Sequence, residues 1–164
     1  MTDSTLLPDL IALSAARRPT APAQTYGKQS LDYAALAQAV AGFRNGMLAS
    51  GLQRGERVAI YLEKRFETVI ASFGATAAGG VFVPLNPLLK PEQVAYILRD
   101  CNVRVLVTSA ERLALLTETL KTCHDLRHVV IVNADAALPA EGHGPLEYRR
   151  WQELLQAPEQ AGHR

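Results

Sequence analysis

Cysteine is nearly absent. The 164 residues hold two, Cys101 and Cys123, with no C-x-x-C and no metal-ligand spacing to the four histidines. That excludes a disulfide-stapled miniprotein and a structural zinc site. Two unpaired thiols suit a reducing cytoplasm, the expected location. His124 and His128 lie four apart, a pairing that serves a metal only on a helix. His128 opens the apolar run HVVIV, which reads as a strand, so that geometry fails.

Charge of one sign is also lacking: 17 Lys and Arg meet 16 Asp and Glu. Nucleic-acid binders carry a basic stripe that releases counterions. Here the basic clusters are the doublets Arg17-Arg18 and Arg149-Arg150, which read as solvated surface, so no nucleic-acid partner is expected. No apolar run approaches the roughly 20 residues of a membrane-spanning helix. The opening MTDSTLLPDLIALSAARRP places its arginines after its apolar stretch, the wrong order for a secretory leader. What is present is ordinary globular composition, 48% apolar and 20% charged, at a length that suits a single domain.

Periodicity divides the chain. Leu6, Leu7, Leu10, Ile11 and Leu13 predict the apolar face of a first helix over Leu6 to Arg18, stopped by Pro19. AQTYGKQSLDY predicts a short hairpin turning at Gly27-Lys28. Asp32 caps a long helix with Leu36, Val40, Phe43, Met47 and Leu48 on its apolar face, and Gly51 ends it. Then strands at Arg57 to Leu62, Val81 to Leu85, Val103 to Thr108 and His128 to Val132 alternate with helices. Those helices run from Phe66 to Ala78, from Pro91 through Leu98, and from a Thr108-x-x-Glu111 capping box through Leu120. Ala134 to Tyr148 reads as loop and Arg149 to Gln156 as a last short helix, before a frayed end. Short Val/Ile-rich strands with little alternation are buried on both faces, so the fold class is α/β, a mostly parallel sheet covered by helices.

Such a sheet often binds nucleotides at the carboxyl ends of its strands. Yet there is no G-x-G-x-x-G and no G-x-x-x-x-G-K-[ST]. Gly79-Gly80 precedes a strand, the wrong side for a phosphate cradle, and reads as a left-handed helix cap. Gly142 to Gly144 reads as connection. Cys101 and Cys123 read as small hydrophobes at helix ends. Glu63-Lys64-Arg65 and Asn86 stand where ligand contacts would be placed, or where turns and caps form.

The order of segments is recognisable. Ser30 to Leu62, with its Leu31-Asp32-Tyr33 helix start, Ala75 to Ser109, with AAGGVFVPLNP, and the leading helix from Leu6 to Pro19 together resemble the N-terminal region of the AMP-forming acyl-CoA synthetase family. That family includes acyl-CoA ligases, luciferases and peptide-synthetase adenylation domains. The resemblance covers roughly Leu6 to Val132. The stretch IYLEKRFETVIASFGATAAGGVFVPLNPLLKPEQVAYILRDC is especially similar to acyl-CoA ligases of exosortase-associated loci. Asp32, Ala35 and Glu56 depart from the motifs' usual Thr or Ser, Glu and Asp.

The resemblance implies that residues 1–164 are a partial N-terminal subdomain, with 133–164 leading toward an ATP-binding region. It implies that the parent joins a carboxylate, ATP and CoA, as in fatty acid metabolism, with Mg²⁺ assisting. The family's Pro-Lys-Gly phosphate loop, adenine motifs and lysine-bearing lid do not occur in these residues. No catalytic, cofactor-binding or metal residue is therefore carried over, and ATP, Mg and CoA belong to the parent. The expected partner is the remainder of that ligase. The alternative is a non-enzymatic domain that binds a partner or self-associates.

Overall fold

The computed structural model describes residues 5–140 and 144–163. Nine residues of α1, Asp9–Arg17, are followed by β1 (Pro22–Tyr26) and β2 (Gln29–Asp32). These two strands pair antiparallel around Gly27-Lys28, with Gly27 at φ +61° as a tight two-residue turn requires. Next come α2 (Tyr33–Ala49), β3 (Arg57–Tyr61), α3 (Phe66–Ala77), β4 (Val81–Pro84), α4 (Pro91–Asp100), β5 (Val103–Thr108), α5 (Ala110–Leu120) and β6 (His128–Ile131). The described chain closes with β7 (Glu147–Arg150) and α6 (Trp151–Leu155).

Local chemistry sets these boundaries. Asp32 caps α2 by accepting from the Ala35 amide at 2.8 Å. The end of α2 is a Schellman turn: the Gly51 and Leu52 amides donate back to the Leu48 and Met47 carbonyls, with Gly51 at φ +85°. The end of α3 repeats it at Gly79, at φ +82°, with amides of Gly79 and Gly80 donating to Thr76 and Ala75. The glycine pair is a helix cap, as its sequence position suggested.

Five strands form one parallel sheet in the order β4-β3-β5-β6-β7. Alternate residues of each strand face opposite layers. Val58, Ile60, Val105, Val107 and Val130 pack under α1, α2, α3 and α6. Ala59, Tyr61, Leu106, Val129 and Ile131 pack under α4 and α5. Among the described residues no helix is long and apolar enough to cross a membrane.

The structure corrects several expectations. The segment 133–164 contains a strand as well as loop and helix. β7, Glu-Tyr-Arg-Arg, has no apolar run, and its pairing is supplied by the β6 backbone. The cap of α5 is Ser109, whose Oγ accepts from the Arg112 amide at 3.3 Å. Thr108 is instead the fully buried last residue of β5, donating its hydroxyl to the Tyr61 carbonyl at 2.9 Å. Helix α1 starts only at Asp9, after Leu6 and Leu7, and of the five expected apolar residues only Ile11 enters the core, while Leu6, Leu7, Leu10 and Leu13 stay 41–61% exposed. The end is docked rather than frayed: the Gln160 amide donates to Asn45, and His163 Nε2 lies 2.8 Å from the Leu52 carbonyl. Gly142 and its neighbours 141 and 143 lie outside the described residues, while Gly144 has φ +61°.

Candidate functional site

The strand order changes direction beside β3. From β3 the chain goes outward to β4 through α3 on one face, then returns past β3 to β5 through α4 on the other. An open α/β sheet places its ligand crevice at such a switch point, outside the carboxyl ends of the two strands. Here that crevice is a half-open hollow of about 410 Å³ lined by Glu63, Ser109, Glu111, Arg112 and Leu115.

Its charges are spent on one another. Arg112, from the first turn of α5, lies 3.3 Å from Glu63, just beyond β3. The same guanidinium stacks over the Tyr61 ring at 4.7 Å and donates to the Pro87 carbonyl at 2.8 Å. The Tyr61 hydroxyl donates to the Leu89 carbonyl at 2.7 Å. Arg112 and Tyr61 thus clamp the β4–α4 loop from two sides. Arg65 pairs with Glu67 at 2.8 Å and with Glu63 at 3.5 Å. The bond to Glu67, above all, raises the Arg65 pKa against its burial. Glu63 is held below the ordinary carboxylate value by a backbone amide hydrogen bond and then by Arg112, while burial opposes both.

The helix N-termini at this edge are poorly suited to an anion. The first amide of α5, on Ala110, donates to Asn133 Oδ1 at 2.8 Å. Helix α4 opens with Pro91, which has no amide hydrogen. Each of α3, α4 and α5 carries a glutamate in its first turn: Glu67, Glu92 and Glu111. A phosphate needs free amides and a positive helix end. An acid at each of the three ends, a proline at α4 and side-chain acceptors at α5 make a poor seat for a triphosphate.

The sequence candidates resolve on this geometry. Glu63 and Arg65 do meet at the crevice, as ion-pair partners. Lys64 is exposed. Asn86 is drawn into its own turn, accepting from the Leu88 amide at 2.9 Å. Cys123 is buried, and that burial pushes its thiol up, away from nucleophilic reactivity. Cys101 is half-buried at the C-terminus of α4. Arg112, Tyr61 and Asn133 were missed by sequence reasoning, because their roles come from partners far along the chain. A larger groove, about 720 Å³, lies at the opposite edge, between α1, α2, the end of α3 and His163.

A fold of this shape is shared with known enzymes. Residues 11–162 match the family model of the AMP-binding enzymes. The chain belongs to the AMP-binding enzyme family. It is 38% identical over 105 residues to the long-chain-fatty-acid–CoA ligase of Bacillus subtilis, covering 62% of this chain and 18% of that enzyme. It is 31% identical over 109 residues to the crotonobetaine/carnitine–CoA ligase of Citrobacter koseri, covering 66% of this chain and 21% of that enzyme. A solved anthranilate–CoA ligase in complex with anthranoyl-AMP shares the fold at TM-score 0.81 and 23% identity, over 94% of this chain and 28% of its own. The chain therefore spans about a fifth of the length of these two CoA ligases.

Proposed function

We propose that this chain is the N-terminal scaffold of an AMP-forming acyl-CoA ligase. In the parent, a carboxylate and ATP give acyl-AMP and pyrophosphate, and CoA then displaces AMP. Residues 1–164 shape one wall of the acyl pocket and do not adenylate alone. The observation that carries this reading is the switch-point crevice, spanned by the Arg112–Glu63 ion pair and flanked by three acid-bearing helix ends. Stabilising a triphosphate as a carboxylate attacks it takes cations and free amides aimed at the phosphates. Here those groups hold the scaffold together instead. The likeness of one stretch to exosortase-associated ligases, a role in fatty acid metabolism and a cytoplasmic site belong to the same proposal. ATP–pyrophosphate exchange by the isolated chain, assayed with fatty and aromatic acids, tests it. The expected result is exchange at background; exchange above background overturns it.

A second reading is favoured by the exposed leucines of α1 and by Val81, 49% exposed on the edge strand β4. Exposed apolar faces and open sheet edges invite association. On this reading the isolated chain self-associates, and light scattering that shows one monomer mass across concentrations removes it.

A further inference from the structure

At the amino ends of the strands, opposite the crevice, one carboxylate faces two bases. His128 opens β6 with its side chain 13% exposed. Its Nε2 lies 3.1 Å from the carbonyl of Ser50, the C-cap of α2. A carbonyl can only accept, so the neutral ring carries its proton on Nε2. Nδ1 is then a bare lone pair, buried and without a hydrogen-bond partner. It points toward Glu147 Oε2, 3.7 Å away on β7, where His128 and Glu147 are partners in register. That carboxylate already receives Arg149 at 3.1 Å. Arg149 has its own buried and unpartnered atom, Nε.

The other charges around the ring are committed elsewhere. Arg127, the residue before β6, donates to the His124 carbonyl at 2.6 Å. Glu56 and Arg104, which line the 260 Å³ hollow beside His128, pair with each other at 3.1 Å. Arg104 also reaches Asp125 at 3.3 Å. On α6, Glu153 pairs with Arg150 at 3.6 Å.

We propose that His128 is an acid-release latch for the β7–α6 unit. The neutral ring ties β6 to the end of α2 and leaves Glu147 to Arg149. Protonation at Nδ1 adds a third cation beside Arg127 and Arg149. Glu147 is the acid in reach and already serves Arg149, so one largely exposed carboxylate must then answer both the ring and Arg149. Among the described residues β7 is an edge strand, paired to the sheet through β6. Parting β7 and α6 from the sheet relieves the charge while the rest of the core stays folded. Burial, and then Arg149, hold the imidazole below its ordinary value of 6.5, against the Ser50 carbonyl and Glu147. A folded-state value below the unfolded one gives stability that is complete above pH 6.5 and lost as pH falls through the folded value.

Amide hydrogen exchange of the full chain, corrected for intrinsic rates, tests this at about pH 7.5 and about pH 5.5, either side of an ordinary imidazole. The His128 midpoint is followed by NMR. Segment 147–155 should lose about tenfold more protection in acid than β3 and β5 do. In His128→Gln, whose amide can still donate to the Ser50 carbonyl, the excess loss should vanish. Glu147→Gln changes an exposed side chain and should lower both the His128 midpoint and the release pH together. A uniform loss across the sheet, an unchanged release in His128→Gln, or an unmoved midpoint in Glu147→Gln overturns the proposal.

Discussion

The two faces of the sheet are filled by different means. Under α2, α3 and α6 the helices approach through glycine. A Cβ on Gly46 would sit 2.6 Å from the Leu154 carbonyl oxygen and 2.5 Å from its Cγ, and one on Gly74 would sit 2.6 Å from the Phe43 ring. Phe43 fills the resulting seam with Trp151, ring centroids 5.2 Å apart. Helices α4 and α5 contain no glycine and reach the sheet through Leu98, Leu113, Leu116 and Leu120. Polar clamps at the strand ends hold them there. One layer is set by backbone distance, the other by side-chain volume, so they should fail differently.

The largest effect should come from the leucine face. Leu116 is fully buried, and Leu116→Ala leaves a cavity costing about 2–5 kcal/mol. Urea unfolding measures it. A loss below about 0.5 kcal/mol, within the scatter of surface changes, would mean that α5 collapses onto the gap and that volume does not set this layer.

The glycine face is probed by adding an atom. In an exposed helix Gly→Ala gains up to ~1 kcal/mol. At Gly46 the added methyl meets a backbone oxygen that no rotamer can move, so Gly46→Ala should instead cost about 1–3 kcal/mol. The sign of the change decides: a stabilised variant would show that α6 can slide away, and that the two faces do not differ in kind.

This difference also explains what was legible in the sequence. Elements whose signals are local could be read directly. Asp32 and Gly51 bound α2 by their own chemistry, and the apolar strands β3 to β6 stand out from their surroundings. β7 carries no such signal, because Tyr148 and its arginines become a strand only beside β6. The cap of α5 was misplaced by one residue because Thr108 and Ser109 are equally good caps in isolation. Thr108 is claimed by the sheet through Tyr61. The same holds at the candidate site. Position made Glu63 and Arg65 suspects, but Glu63 is answered by Arg112, 49 residues on, and no spacing rule links the two. Family resemblance was legible because motif order is local; substrate and partners are not written in these residues.

The smallest effect tests the polar clamp of the leucine face. Arg112→Ala removes the guanidinium from Glu63, from the Tyr61 ring and from the Pro87 carbonyl at once. Glu63 is held below its ordinary 4.5 first by a backbone amide, which the variant keeps, and then by Arg112, which it loses. Its carboxyl should therefore rise part of the way back. The sign for stability follows: a depressed carboxylate adds stability above pH 4.5 that is lost as pH falls through the folded value. In the variant that acid-side loss should span a narrower window. A carbon-detected titration of Glu63 reads the shift directly. A midpoint unchanged by Arg112→Ala would mean that the clamp is mechanical, with Arg112 holding the loop through Pro87 and contributing nothing to the charge on Glu63.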